Sequence, residues 1–439
     1  MRLGIMSRGV IRIPFLSVLS GHDIVDLKQG WWKRMPSVDA VAGWGMRPSA
    51  QKARAYAAKQ GLPYVSLEDG FIRSFGTGDR FPPLSMVVDQ TGIYYDSTQP
   101  SDLEGMLNGK TSLHQSGRQD AQRAMRLVLE GKYSKYNHAG ALNSEILGVL
   151  STRKVLVVDQ TAGDMSVTLG GANAESFKDM LQAALSENPG ATVYVKTHPE
   201  VSSGRKRGYL THVQTDGRLV VLREAVNPYS LIEVMDKVYV VTSTMGFEAL
   251  MADKQVVCFG LPWYAGWGLT DDRCQQHLVM SRRRKKRTTV ELFAAAYMQY
   301  TNYIDPVTCR KGDIFSVLRW IEVQKEVREI FHKGAIALSS KKGFHSLVKN
   351  MLDSYCDLVV LSYESKGKSA MLPSFSGTVM VCPVQELSVS LREFARSHGY
   401  SLFSVITNKA NGKVCLRAEE GHIGAQRYEW SPLLRGFYG

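Results

Sequence analysis

Three stretches of this chain set reactive residues directly after short apolar runs: Val155-Leu-Val-Val-Asp-Gln-Thr-Ala-Gly-Asp164, Val193-Tyr-Val-Lys-Thr-His-Pro199 and Val238-Tyr-Val-Val-Thr-Ser-Thr-Met-Gly-Phe-Glu248. Each run is β-branched, too short for a helix and closed by turn residues, which is the signature of a buried strand. Ligands of open α/β sheets bind at the carboxyl ends of strands, so residues just past three such strands converge on one crevice. That crevice would collect Asp159, Asp164, Lys196, His198, the hydroxyls of residues 242–244 and a helix N-terminus. Carboxylates, a Lys, a His and hydroxyls in one place suit a phosphorylated or nucleotide-activated substrate.

Taken singly, each group has a chemical and a plainer reading. Glu68-Asp69-Gly70 puts two acids at a strand end. A carboxylate there accepts a proton from an attacking hydroxyl if burial or a like charge raises its pKa, or it simply caps the next helix. Asp159 and Asp164 flank Gly163; an aspartate so placed serves as a nucleophile toward a sugar carbon or closes an Asx turn. His198, held by Pro199 and next but one to Lys196, makes a compact cationic site for a phosphate diester, or is a structural histidine. Ser243, Thr244 and the N–H groups around Gly246 open a helix suited to phosphate, with Glu248 one turn in and directed toward ribose hydroxyls. Pro262-Trp-Tyr-Ala-Gly-Trp-Gly268 offers stacking faces or core packing.

The elements that position these groups alternate between strand and helix, the pattern of parallel Rossmann-like sheets. Arg2-Leu-Gly-Ile-Met, Ala40-Val-Ala-Gly-Trp44 and Leu62-Pro-Tyr-Val-Ser-Leu67 read as strands, with Ser49 as N-cap of a helix closing at Gly61. Ser85 to Asp96 reads as a hairpin-like pair around Thr91-Gly92, and Pro100 to Ser151 as polar helical material. Thr288 and Glu291 suit a capping box for an amphipathic helix, and 313–331 is a second helix. Val-Val-Asp-Gln-Thr occurs at 87–91 and again at 157–161; the flanks differ, which favours convergent strand-end design or chance over duplication. The expected domains are 1–150 (acceptor side), 151–275 (donor side), 276–330 completing the module, and an accessory α/β segment at 331–439 without visible chemistry.

A chain of 439 residues, 44% hydrophobic and 22% charged, is sized for two globular domains. No segment approaches the roughly 18 uninterrupted apolar residues of a membrane span. The start, Met1-Arg-Leu-Gly-Ile-Met, lacks signal-peptide features. Six scattered cysteines without a C-x-x-C pair argue against zinc and disulfides and fit a reducing cytoplasm. The net charge of +13 is partly concentrated in Arg282-Arg-Arg-Lys-Lys-Arg287, a contact for anionic headgroups or a solvated helix approach. No nucleic-acid-reading module surrounds it, so no nucleic-acid partner is expected.

In chain order, Trp44-Gly-x-Arg-Pro-Ser, Leu67-Glu-Asp-Gly-Phe-Ile-Arg-Ser, Pro82-Pro-Leu-Ser-x-Val-Val-Asp, Gly92-Ile-Tyr-Tyr-Asp, Val158-Asp-Gln-Thr-x-Gly-Asp, Lys196-Thr-His-Pro, Thr242-Ser-x-Met-Gly-Phe-Glu-Ala-Leu and Tyr264-Ala-Gly-Trp-Gly-Leu-Thr resemble the KpsC family of bacterial capsule-polysaccharide β-Kdo transferases. The resemblance covers about residues 1–330, one transferase module, and is to the N-terminal module of proteins that usually carry two. It implies a GT-B-like pair of Rossmann-like domains with an active-site cleft between them, and retaining transfer of Kdo from CMP-β-Kdo to a lyso-phosphatidylglycerol-linked acceptor. By the resemblance, Asp159 is the nucleophile of a double displacement and Glu68 the acceptor base, with Asp69 and Asp164 as further catalytic acids. Lys196, His198, Pro199, Ser243, Thr244, Gly246 and Glu248 bind the donor, and Arg73 faces the sugar carboxylate. Without a D-x-D pair, neither a metal nor another cofactor is expected. The expected partners are CMP-Kdo, the glycolipid, the anionic inner-membrane surface approached from the cytoplasm, and other capsule biosynthesis proteins. The competing class is a non-catalytic glycolipid-associated subunit, which would not need to keep these acids and the His-Pro pair.

Overall fold

The computed structural model describes residues 1–28, 36–76, 81–109, 115–147, 153–202, 204–274, 277–331, 335–339, 342–352, 358–361, 379–397, 400–407, 414–420 and 427–430. The chain divides into two units, one comprising Met1–Arg73, Pro83–Tyr303 and Asp313–Leu318, the other Ser74–Pro82, Ile304–Gly312 and Arg319–Gly439.

The first unit holds two sheets. In the first, β1 (Arg2–Ile5), β2 (Asp23–Asp26), β3 (Ala40–Trp44), β4 (Tyr64–Asp69) and β5 (Ser85–Asp89) stand in the order β5-β4-β3-β1-β2. The pairs from β2 through β4 are parallel and β5 is antiparallel to β4. The second sheet is parallel throughout: β6 (Lys154–Val158), β7 (Thr192–Lys196), β8 (Leu219–Leu222), β9 (Lys237–Val240), β10 (Gln255–Cys258) and β11 (Asp271–Asp272) stand in the order β11-β10-β9-β6-β7-β8. A late strand, β12 (Thr301–Ile304), returns to pair antiparallel with β5. Val155, Val157, Val193, Val195 and Tyr239 are buried in one cluster, as strands covered on both faces require. Strand order reverses between β1 and β3 in the first sheet and between β6 and β9 in the second, and a crevice opens at the carboxyl ends of each such pair.

Several local expectations hold. The helix Gln51–Gln60 ends on Gly61 in the left-handed conformation, φ 63°. Thr288 and Glu291 form the capping box of the helix Thr289–Phe293. Others change. Ser49 does not cap: Pro48–Ala50 forms a 3₁₀ turn first, and the helix starts after Ala50 without a side-chain cap. No second strand follows β5, because the Asp89 carboxylate gathers the N–H groups of Thr91 (2.9 Å) and Gly92 (2.7 Å) into an Asx turn. Nor is the segment after Thr288 amphipathic: from Ala294 to Gln299 it widens into a π-helix, with Ala294, Ala295, Ala296 and Tyr297 buried.

In the second unit, Leu358–Leu361, Ala335–Leu338, Val379–Pro383 and Ser401–Thr407 lie side by side in parallel, followed by Val414–Glu420 and Arg427–Trp430 in antiparallel. Met380, Cys382, Leu391, Ala395 and Leu402 form its core. Among the described residues no helix is long and apolar enough to cross a membrane.

Candidate active site

The site builds up from the second sheet's reversal. The backbone N–H of Asp159 donates to the Lys196 carbonyl at 3.0 Å, carrying the β6 register one residue beyond the strand. The Asp159 side chain then turns into the loop at 208–210. Its Oδ1 accepts the N–H groups of Gln160 (2.9 Å), Tyr209 (3.1 Å) and Leu210 (3.1 Å). Its Oδ2 is buried without a hydrogen bond and lies against Gly208, where a Cβ would overlap it. Burial dominates over the three N–H donors, and the carboxyl is pushed up to about 6.

Beside it, the Gln160 amide spans the reversal. Its Oε1 accepts the Thr242 N–H at 3.0 Å, and its Nε2 donates to Thr242 Oγ1 (3.1 Å) and Ser166 Oγ (3.3 Å). Asp164 caps the helix Met165–Leu169 by accepting the Ser166 N–H at 2.9 Å. Lys196 is 6% exposed, and its Nζ donates to the Thr197 carbonyl at 2.8 Å. Burial lowers its pKa to about 8, against the opposing charge of Glu224. The His198 ring is accessible at its edge, yet the surrounding protein crowds it, and this desolvation lowers its pKa despite Glu200 and Asp164. Its Nδ1 accepts the Glu200 N–H at 3.2 Å, which leaves Nε2 for a ligand. Pro199 begins the helical turn that supplies that N–H.

Ser243 Oγ accepts the Met245 N–H at 3.3 Å, and the Ser243 carbonyl accepts the Tyr264 hydroxyl. Thr244 starts the helix Met245–Met251 without a side-chain cap, so its hydroxyl is uncommitted to the helix. Gly246 is required by packing, since a Cβ there would run into Tyr264. Glu248 is 5% exposed and hydrogen-bonds Ser134; burial pushes it up to about 8. Trp263 and Trp267 are 4% and 1% exposed and therefore belong to the core.

From the first sheet comes Glu68, 4% exposed at the end of β4. Its Oε1 accepts the Trp44 indole N–H (3.0 Å) and the Asp69 N–H (3.2 Å), and the Arg47 guanidinium stands 3.9 Å away. Burial raises its pKa, opposed in part by Lys135 and Arg47. Asp69 pairs with Arg73 at 2.9 Å and faces Lys135 at 3.8 Å, so Arg73 is held by Asp69 in this state. Burial pushes the Tyr95 hydroxyl up to about 12, with the charges of Glu68 and Asp164 acting in the same direction. Asp164 in turn acts on His198. The charges of Glu68 and Asp164 thus both act on Tyr95, and those of Asp164 and Lys196 on His198, while Asp159 faces the 208–210 loop and Glu248 faces Ser134. Lys135 escapes sequence reasoning, whereas Trp44, Tyr95 and Gln160 stand there inside family motifs without a role of their own.

The basic run corrects an expectation. Arg282 bonds Glu104 (2.7 Å) and the Ser97 carbonyl (2.7 Å), and the 6%-exposed Arg283 reaches Glu104 (3.5 Å) and the carbonyls of Pro262 (2.7 Å) and Ala265 (2.6 Å). Lys285 and Arg287 donate to the Gly109 carbonyl at 2.6 and 2.8 Å, at the C-terminal end of the helix Asp102–Asn108. Cations there complement the helix dipole. The run is mainly an internal clasp, and Arg284 and Lys286 are its exposed cations.

Comparison with known proteins places these features in context. The model of the family described as capsule polysaccharide biosynthesis protein matches residues 39–303. The capsule polysaccharide modification protein LipA of Neisseria meningitidis serogroup B is 46% identical over 328 residues, 73% of this chain and 46% of that protein. The chain therefore spans about half the length of this relative. The lipopolysaccharide-processing protein LpsZ of Rhizobium meliloti is 38% identical over 60% of this chain and 59% of its own. Among solved structures, the β-Kdo 2,4 transferase of Thermosulfurimonas dismutans KpsC is 45% identical with a TM-score of 0.67, over 73% of this chain and 98% of that one. The β-Kdo 2,7 transferase of the same KpsC is 25% identical with a TM-score of 0.53, over 74% and 99%.

Proposed function

The chain belongs to the capsule polysaccharide biosynthesis protein family, and from that premise we propose that it is a β-Kdo transferase, moving Kdo from CMP-β-Kdo onto a glycolipid acceptor with retention of configuration. The observation that carries this reading is the 45% identity extending over 98% of a solved β-Kdo transferase chain. The acids and cations at the second sheet's reversal, with Glu68 at the end of β4, supply chemistry for it.

In the first displacement, an Asp159 oxygen bonds to the anomeric carbon as the bond to the cytidylate oxygen breaks. The electron pair leaves on the phosphate, where Lys196 and His198 Nε2 stabilise it, with Ser243 and Thr244 beside them. Oδ2 is the oxygen free of hydrogen bonds, and its attack requires the Gly208–Leu210 loop to withdraw. With a pKa near 6 the carboxyl is mostly ionised at neutral pH, as a nucleophile must be. In the second displacement, the acceptor oxygen attacks the same carbon, its proton passes to Glu68 and the Asp159 carboxylate leaves. Two inversions give retention, as in retaining glycosidases by analogy.

A lipid-borne acceptor puts the reaction at the cytoplasmic face of the inner membrane, where Arg284 and Lys286 each add on the order of 1 kcal/mol of attraction to anionic lipid. The decisive assay incubates the chain with CMP-Kdo and a Kdo-lipid acceptor, and reads cytidylate release by chromatography and the new linkage by NMR. A β-linked Kdo product is expected. An α-linked product rejects retention, and absence of any transfer rejects the enzyme in favour of a glycolipid-binding subunit.

A further inference from the structure

The first sheet's reversal holds a cavity that the chemistry above leaves unused. It lies at the carboxyl ends of β1 and β3, has a volume of about 210 Å³, and is lined by Ser7, Arg8, Lys28, Trp44, Ser49 and Lys52 among others. Topology alone makes this a place where an open α/β sheet binds ligands. Its charge is one-sided. Arg8, Lys28 and Lys52 are exposed at its rim, and no carboxylate of the described residues lies within ion-pair range of any of them. The nearby acid, Asp26, accepts the Lys28 backbone N–H at 2.8 Å. Inside the rim, Met6, Val10, Ala42 and Ala53 line the cavity with Trp44, whose indole N–H donates to Glu68 at 3.0 Å. One side chain therefore separates the cavity from the proposed acceptor base.

We propose that this cavity binds the acceptor, taking the carboxylate of an acidic sugar between Arg8, Lys28 and Lys52 and the sugar's apolar face against Trp44. The assignment rests on the transferase reading, and it names the acceptor's chemistry at a place distinct from the donor groups on the second sheet. A sugar seated there presents its hydroxyls toward Glu68 across the Trp44 edge. The phosphate of a glycerolipid would satisfy the same three cations, but it lacks a pyranose face for Trp44. Cations this exposed hold an anion weakly and in a salt-dependent way.

The test is a ligand-observed NMR titration of the full chain with methyl β-Kdo glycoside, its carboxyl methyl ester, and glycerol phosphate. The glycoside is expected to bind weakly and to be displaced by salt, and the ester at least about ten-fold less well. The Arg8→Gln/Lys28→Gln/Lys52→Gln variant should lose at least about ten-fold in glycoside affinity with an unchanged Tm. Lys52→Glu alone is a second, conservatively placed variant and should weaken binding in the same direction. Equal glycoside binding by both variants, or none by the parent chain, overturns the proposal. Glycerol phosphate binding in place of the glycoside, with the same sensitivity to the variants, would assign the cavity to a lipid phosphate and overturn the sugar assignment. A chain that binds the glycoside in this way but transfers nothing from CMP-Kdo defeats the transferase reading alone.

Discussion

Where strand order reverses in the first sheet, β1 and β3 end in an open cavity rimmed by Arg8, Lys28 and Lys52. Where it reverses in the second, β6 and β9 end on residues that close on one another: the Gln160 amide takes the Thr242 N–H at 3.0 Å, and the 208–210 loop covers Asp159. The same topological event thus yields an accessible anion site in one sheet and a stitched, acid-bearing site in the other. The difference fits a division of labour. A receptive surface can bind and release a bulky lipid-linked sugar, whereas a covalent step needs a carboxylate that water does not reach until the donor arrives. The Val-Val-Asp-Gln-Thr echo sharpens the contrast. Asp89 ends an antiparallel strand, is 0% exposed and spends both oxygens on hydrogen bonds, Tyr300 donating to Oδ2 at 2.5 Å. Asp159 ends a central parallel strand and keeps one oxygen unpaired. The same five residues serve structure in one place and reserve an oxygen in the other.

The largest expected effect tests that reserved oxygen. Asp159→Asn should lower turnover by about 10³-fold or more, as loss of a covalent nucleophile does. It should also stabilise the protein. A carboxyl raised in the folded state from 3.8 to about 6 makes the fold bind a proton more tightly than the unfolded chain does. Stability from this group is thus fully present below about pH 4 and is lost as pH rises through about 6, up to about 3 kcal/mol at neutral pH. An asparagine keeps the Oδ1 acceptor and carries no charge, so its gain in Tm should appear at pH 7 and vanish near pH 4. If the variant is destabilised at pH 7 and still active, the carboxylate anchors the 208–210 loop as Asp89 anchors its turn, and the contrast between the two motifs collapses.

Next in size is the clasp that joins the cleft's surroundings. Arg283 is buried against Glu104 and the carbonyls of Pro262 and Ala265, so Arg283→Met leaves those carbonyls without this donor while Glu104 keeps Arg282, and should cost about 2–4 kcal/mol. Exposed Arg284→Gln should stay within about 0.5 kcal/mol. Equal losses in denaturant unfolding would mean that the run is uniformly solvated, as a sequence reader would assume.

That assumption shows where sequence reading stops. Local chemistry was legible: the strand ends at Glu68 and Asp159, the Thr288–Glu291 capping box and the Gly61 stop all follow from neighbours within a few positions. The alternation of short strands and helices likewise carried the parallel strands β1 to β4 and the parallel second sheet. Long-range pairing was not legible. Arg282 meets Glu104 across 178 positions and Gln160 meets Thr242 across 82, and nothing in a run of arginines or a lone glutamine announces such partners. The direction of a side chain was equally hidden. Glu248 sits one turn into its helix as expected, but the helix buries that face, so the carboxyl meets Ser134 and its pKa rises to about 8. Arg73, a candidate for a substrate carboxylate, finds one closer at hand in Asp69.

The smallest expected effect concerns the contact that ties the open reversal to catalysis. Trp44 donates to Glu68 Oε1, which also takes the Asp69 N–H, so the bond turns the other carboxylate oxygen toward Gly45 and the cleft. Trp44→Phe keeps an aromatic wall on the cavity but removes the donor. A hydrogen bond to the charged form of an acid favours that form, so its loss should raise the Glu68 pKa further and move the acidic limb of the pH profile for acceptor transfer upward. We expect kcat/KM for the acceptor to fall about ten-fold, the scale of one hydrogen bond to a charged group. Release of cytidylate in the first displacement, which does not use Glu68, should change far less, and a burst experiment separates the two steps. A merely structural Trp44 would depress both steps together and leave the pH limb in place. In that case the cavity and the base would be neighbours without communication, and the open reversal would serve binding alone.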